Sequence, residues 1–147
     1  GALVAVNALG DVYGADGEPM AGLLNQEKTG LSNTLEEMFS DAEGKENLFT
    51  GNTTLGVVVT NAAFHKTQLT KIAGMTHNGY ARAIRPVHTT ADGDSIYALG
   101  DVSGDLNLVG AMAARAMEHA IHRAVYSAKS AYGLMGWDAL PGKKENG

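Results

Sequence analysis

Apolar and polar positions along this chain change rhythm several times, and each change predicts an element. Leu3 to Ala8 is a short, mainly apolar run bounded by the turn signal Gly10-Asp11, and it reads as a buried strand. Gly14-Ala15-Asp16-Gly17 signals a turn, and a hairpin-like return then runs through Met20 to Leu24. A short helix is expected around Leu35 to Phe39. The stretch from Glu36 to Glu46 carries Glu36, Glu37, Asp41, Glu43 and Glu46, and it continues as a solvated acidic loop. The character then shifts abruptly. Thr53 to Asn61 is rich in β-branched residues and reads as a buried strand. Lys66 to Ile84 has Leu69, Ile72, Ala73, Thr76 and Tyr80 on one stripe at helical spacing, and Pro86 ends the helix. A turn at Asp92-Gly93-Asp94 leads into a strand from Ser95 to Leu99. Asp105 caps a long helix from Leu106 to about Ala131. Its inner face of Gly110, Ala113, Ala120 and Ala124 beside Val109, Met117, Ile121 and Val125 allows close packing. The tail from Trp137 to Gly147 is expected to be loose.

Strands mixed with two long helices predict an α+β or layered α/β domain. With 147 residues, 44% hydrophobic and 18% charged, the chain is long and apolar enough for one ordinary core. Charge is uneven. Residues 1–52 hold two basic and nine acidic groups, a net of −7, whereas residues 53–147 carry a net of +2. Without a basic stripe, nucleic-acid binding is not expected. The absence of cysteine removes disulfide and thiolate chemistry and suits a reducing, cytoplasmic setting. The longest uncharged stretch, Asn47 to His65, is broken by Thr, Asn and Gly, so no membrane span is expected. The chain opens without methionine on what reads as a strand already under way, and an upstream part is expected to be missing.

The junction at Gly51-Asn52-Thr53-Thr54 draws chemical interest, because an acidic linker there runs straight into a core strand. A threonine hydroxyl is a weak nucleophile that needs a base. Once the bond before Thr53 is broken, the new α-amine, with an unperturbed pKa of about 7.7–8.0, can serve as that base. The same hydroxyl can break the bond itself, attacking the Asn52 carbonyl to form an ester that water hydrolyses. Taken without context, most such threonines only begin a strand.

The run Gly51-Asn-Thr-Thr-Leu-Gly-Val-Val-Val-Thr-Asn61 resembles the start of the small chain in the L-aminopeptidase/D-esterase family, which includes β-peptidyl aminopeptidases and nylon-oligomer hydrolases. The resemblance continues from Leu69 through Met75-Thr-His-Asn-Gly-Tyr-Ala-Arg-Ala-Ile-Arg-Pro-Val-His-Thr89, then through Asp92-Gly-Asp-Ser-Ile-Tyr-Ala-Leu99 and the alanine-rich last helix. Gly1-Ala-Leu-Val-Ala-Val-Asn7 is similar to a strand near the end of the family's large chain, so nearly all of residues 1–135 takes part.

This resemblance implies an αββα sandwich of the aminopeptidase and ornithine acetyltransferase type, of which residues 1–147 form the C-terminal portion. It implies a precursor cut at Asn52–Thr53 into chains that stay together, with residues 1–52 ending the large chain and 53–147 forming the small catalytic one. The expected partners are the upstream half of the precursor, further copies in a homo-oligomer, and a small peptide or amide substrate. Thr53 matches the nucleophile and Asn7 the asparagine that holds the oxyanion. Asp92 and Asp94 match positions that orient the nucleophile's amine. Asn-Thr at the junction is closer to the nylon-oligomer hydrolases, whereas the aminopeptidases more often have Gly-Ser. Two alternatives stay open: acyl transfer of the ornithine acetyltransferase type, and a non-catalytic subunit on the same scaffold. No cofactor is expected. His65, His77, His88, His119 and His122 lack a metal-site string and read as solvated or partly buried histidines. Arg82 and Arg85 read as positive charge closing a helix.

Overall fold

A computed structural model describes residues 1–40, 51–100 and 104–140 of the chain. In order, its elements are β1 (Ala2–Ala5), β2 (Asp11–Tyr13), β3 (Pro19–Ala21), α1 (Thr34–Ser40), β4 (Leu55–Val59), α2 (Lys66–Ala83), β5 (Ile84–Arg85), β6 (Ser95–Leu99) and α3 (Leu106–Ser127). A single 3-10 turn follows at Trp137–Ala139. The architecture is α+β. One three-stranded sheet has the order β1-β4-β6 and the other β3-β2-β5. In the first, β1 runs antiparallel to β4, and β6 runs parallel to it. The parallel pair needs a crossover, and α2 supplies it.

Alternation decides what the first sheet buries. Val58 faces the core with Val4, Gly56, Ile96 and Ala98 against α2 and α3. The opposite face exposes Leu3, Leu55, Val59, Tyr97 and Leu99, with Leu3 at 74% and Tyr97 at 62%. The expected strand over Leu3 to Ala8 is therefore shorter, ends at Ala5, and is buried on one side only. The mainly apolar run does not say which face is covered, and among the described residues the helices cover one.

The hairpin forms between β2 and β3, around the tight turn in which the Gly17 N–H donates to the Gly14 carbonyl at 2.9 Å. Asp11, read from sequence as part of a turn, is instead buried. It is the post to which the following loop is tied. Its carboxylate accepts from Leu23 N at 2.9 Å, Thr34 N at 2.7 Å and Thr34 Oγ1 at 2.7 Å. That network anchors the start of α1, which spans the expected short helix with one further residue at each end. Asp41, Glu43 and Glu46 lie outside the described residues.

The expected stripe of α2 is the buried one, with Ile72, Thr76, Gly79, Tyr80 and Ala83 inside. Ile84 leaves the helix for an extended conformation and pairs with β2, so the helix stops one residue early. Glycine brings the two long helices together: a Cβ on Gly79 would stand 2.3 Å from the Ala114 carbonyl oxygen. Asp105 caps α3 as expected, with Oδ1 accepting from Leu108 N at 2.7 Å. The helix ends at Ser127 rather than near Ala131, because Tyr132 and Gly133, both at positive φ, close a two-residue turn between Ala131 and Leu134. Nor is the tail loose from Trp137. That indole meets the Tyr126 ring edge-on at 4.9 Å and packs against the core; residues 141–147 lie outside the described part. Among the described residues, no helix is long and apolar enough to cross a membrane.

Gly79→Ala is expected to cost about 1–3 kcal/mol, because a methyl driven into a backbone carbonyl must push α2 from α3. Urea unfolding should show it as a lower midpoint at unchanged slope.

Candidate active site at the Asn52–Thr53 junction

Thr53 stands two residues before β4, on an extended stretch held from both sides. On one side its N–H donates to the Asn7 carbonyl at 2.9 Å. On the other, Asn52 and Asp92 form a parallel bridge, the Gly93 N–H donates to the Asn52 carbonyl at 3.0 Å, and the Ser95 N–H donates to the Thr54 carbonyl at 3.0 Å. The sheet order β1-β4-β6 thus extends beyond its strands and brings the segments around Asn7, Thr53 and Asp92–Asp94 side by side. The Thr53 hydroxyl donates to the carbonyl oxygen of Asn52 at 2.6 Å. The carbon it would have to attack lies one C=O bond from that oxygen.

All four expected site residues are neighbours here, though their side chains are engaged differently. Asn7 donates from Nδ2 to the Gly51 carbonyl at 3.2 Å, one carbonyl short of Asn52. Asp92 closes a turn: its Oδ2 accepts from Thr89 N at 3.0 Å and Thr89 Oγ1 at 2.7 Å. The turn therefore precedes the Asp-Gly-Asp string, which itself runs extended alongside Asn52 and Thr54. Asp94 accepts from Thr54 N through Oδ1 at 2.8 Å. Among the described residues its Oδ2 is buried without a hydrogen bond, 3.7 Å from His88 Nδ1.

Behind this row lies a cluster that the sequence did not single out. The Tyr80 hydroxyl reaches the Thr54 carbonyl at 3.2 Å and the Ser95 carbonyl at 3.3 Å, joining α2 to β4 and β6. The rings of His77 and His88 meet at 4.5 Å, and His77 meets Tyr80 edge-on at 5.4 Å. His88 holds a left-handed φ of 59°, a costly conformation for a residue with a Cβ. Burial pushes the Tyr80 phenol well above its ordinary range, and the Asp94 charge adds to this. Burial lowers the pKa of His77, neighbouring His88 lowers it further, and Asp94 opposes both. Tyr80 and His77 share a helix face, which is legible as periodicity; that the face points at the junction is not.

The remaining candidates fall elsewhere. His122 bonds to the Tyr13 carbonyl at 2.9 Å, whereas His119 and His65 are exposed. Among the described residues, no three His, Asp or Glu side chains converge to hold a metal ion. Arg82 pairs with Glu118 at 3.6 Å, and the Arg85 guanidinium lies 4.6 Å from the Tyr13 ring centre. A largely apolar recess of about 460 Å³ opens on the Asn7 side, between β1, the hairpin and the end of α3; Val6, Val12, Val125, Met135 and Trp137 line it.

Comparison with known proteins shows the family. The model of peptidase family S58 matches residues 1–138. An uncharacterised aminopeptidase of Mycobacterium leprae is 34% identical over 152 aligned positions, covering 91% of this chain and 42% of that protein. An uncharacterised aminopeptidase of Mycobacterium tuberculosis is 48% identical over 48 residues, 33% of this chain and 14% of that protein. A 6-aminohexanoate-oligomer endohydrolase of Paenarthrobacter ureafaciens is 39% identical over 49 residues, with the same two coverages of 33% and 14%. The chain thus spans less than half the length of these curated relatives.

The lowered pKa of His77 makes stability depend on pH with a definite sign. The folded state favours neutral imidazole, so this contribution is complete above the ordinary value of 6.5 and is lost as pH falls below it towards the folded-state pKa. Urea midpoints at about pH 7.5 and about pH 5.5 should differ more for the wild type than for His77→Gln.

Proposed function

This chain belongs to peptidase family S58, and we propose that it is the part of a self-cleaving amide hydrolase that carries the nucleophile, Thr53. The observation that carries this reading is the geometry at the junction. The Thr53 hydroxyl lies 2.6 Å from the Asn52 carbonyl oxygen, and the Thr53 N–H is fixed on Asn7 at 2.9 Å. Attack by Oγ1 on the Asn52 carbon forms an ester and frees the Thr53 α-amine. Water then releases Asn52 as a carboxylate. Residues 1–52 become the end of the large chain, and 53–147 the small chain.

In the mature enzyme the α-amine takes the hydroxyl proton as Thr53 attacks a substrate amide, and returns it to the leaving amine. Asp94 suits the task of steadying that amine in its protonated form: its Oδ2 is buried, takes no hydrogen bond among the described residues, and belongs to the residue that already grips Thr54. Asp92 holds the turn that delivers Gly93 and Asp94. The Asn7 amide, next to the junction, is a neutral donor for the substrate oxyanion. Short peptides or oligoamides are the substrate class, in keeping with relatives named aminopeptidase and 6-aminohexanoate-oligomer endohydrolase. The apolar outer face of the β1-β4-β6 sheet supports the αββα reading. Leu3, Leu55, Val59, Tyr97 and Leu99 offer a second sheet, from the remainder of the precursor, an apolar layer to pack on. Assembly into a homo-oligomer belongs to the same reading.

Expressed as the full-length precursor, the wild type should separate on a denaturing gel into two chains, the smaller beginning Thr-Thr-Leu. Thr53→Ala should stay whole and lose amide hydrolysis by about three orders of magnitude or more. An intact wild-type chain with full activity would sink the proposal.

A further inference from the structure

If Thr53 attacks the bond before it, negative charge gathers on the Asn52 carbonyl oxygen, and something must hold it. In the uncut chain, among the described residues, that oxygen has two donors, Thr53 Oγ1 at 2.6 Å and the Gly93 N–H at 3.0 Å. The hydroxyl cannot serve, because it gives up its proton in becoming the nucleophile. Asn7 Nδ2 donates to the Gly51 carbonyl, one residue before the oxygen in question. The Gly93 N–H remains. It sits between the Asn52–Asp92 bridge and the Ser95-to-Thr54 bond, so its direction is set before any reaction begins.

We propose that the backbone N–H of Gly93 is the oxyanion donor for cleavage of the Asn52–Thr53 bond, and that residue 93 is glycine to leave room for the attacking hydroxyl. The inference rests on Thr53 as nucleophile. Its second support is independent of the hydrogen bond. Gly93 does not occupy the left-handed region, so conformation does not demand glycine there. Space does: a Cβ at 93 would stand 2.5 Å from Thr53 Oγ1 and 3.4 Å from its Cγ2. The backbone that donates to the carbonyl oxygen must approach the nucleophile as well, and only a residue without a side chain does both.

The step balances as follows. Thr53 Oγ1 forms a bond to the Asn52 carbonyl carbon, and the C=O π pair moves to the oxygen facing Gly93. That pair returns as the C–N bond breaks, and the Thr53 nitrogen leaves with the proton that the hydroxyl lost. An ester and a free amine result. Water then adds hydroxide to the Asn52 carbon, the bond from that carbon to Oγ1 breaks, and the second proton of the water returns to Oγ1.

The test replaces one N–H. Glycolic acid at position 93, introduced by cell-free translation of the full-length precursor, changes the amide to an ester. The same ester at Gly17, in the β2–β3 turn, controls for the chemistry. Cleavage followed by mass spectrometry should slow by about 10²–10³-fold with the ester at 93 and stay unchanged with the ester at 17. Cleavage within about threefold of wild type at 93, while Thr53→Ala stays whole, overturns the role of Gly93 and leaves Thr53 standing. A wild type that never cuts at Asn52–Thr53 removes both. If the ester chain does not fold, amide hydrogen exchange at Gly93 in the uncut Thr53→Ala precursor decides. Slowed exchange supports the donor, and exchange at the rate of a free amide rejects it.

Discussion

The placement of the junction depends on the hydroxyl of Tyr80. It is the polar tip of a fully buried side chain on α2, and it reaches the carbonyls of Thr54 and Ser95 on two different strands. Those carbonyls belong to the segments that flank Thr53 and Gly93. A helix resting on a sheet through apolar contacts alone can slide, because burial has no direction. A phenol aimed at two carbonyls cannot slide without leaving its own buried O–H unpaired. Gly56 makes the approach possible, since a Cβ there would stand 2.7 Å from the Tyr80 hydroxyl and 2.7 Å from Met117 Cε. One hydroxyl and one missing side chain thereby fix where α2 lies on β4.

Much of the fold was legible because its elements are periodic. The stripe of α2, the β-branched run of β4 and the Asp105 cap each follow from local rules. The misreadings share a physical cause, which is dependence on partners distant in sequence. Leu3 to Ala8 looked like a buried strand throughout because an apolar run does not say which of its faces is covered. Asp11 looked like a turn residue because Gly-Asp is a turn signal, whereas its three donors come from Leu23 and Thr34. Trp137 looked like part of a loose tail because its partner, Tyr126, precedes a break in the helix.

The candidate site was legible to a different depth. The positions Asn7, Thr53, Asp92 and Asp94 came from family resemblance, and the sheet order explains why such distant segments meet. Side-chain engagement was not readable. Nothing in the string Asp92-Gly93-Asp94 says that one carboxylate closes a turn on Thr89 while the other takes the Thr54 N–H. Nor does periodicity show that His77 and His88 pack together behind Asp94. The histidines do not converge as metal ligands would. They form part of the wall on which the acidic strand lead-in rests.

The central position of β4 has a mechanical consequence. β1 comes from before the Asn52–Thr53 bond, β4 and β6 from after it, and β4 pairs with both. A break at that bond therefore crosses no rung of the sheet. The β1–β4 ladder, from Ala2 opposite Val58 to Ala5 opposite Leu55, becomes a contact between two polypeptides without any of its hydrogen bonds moving. One covalent link would be exchanged for two new chain ends, while the non-covalent cohesion that the link accompanied would stay where it is.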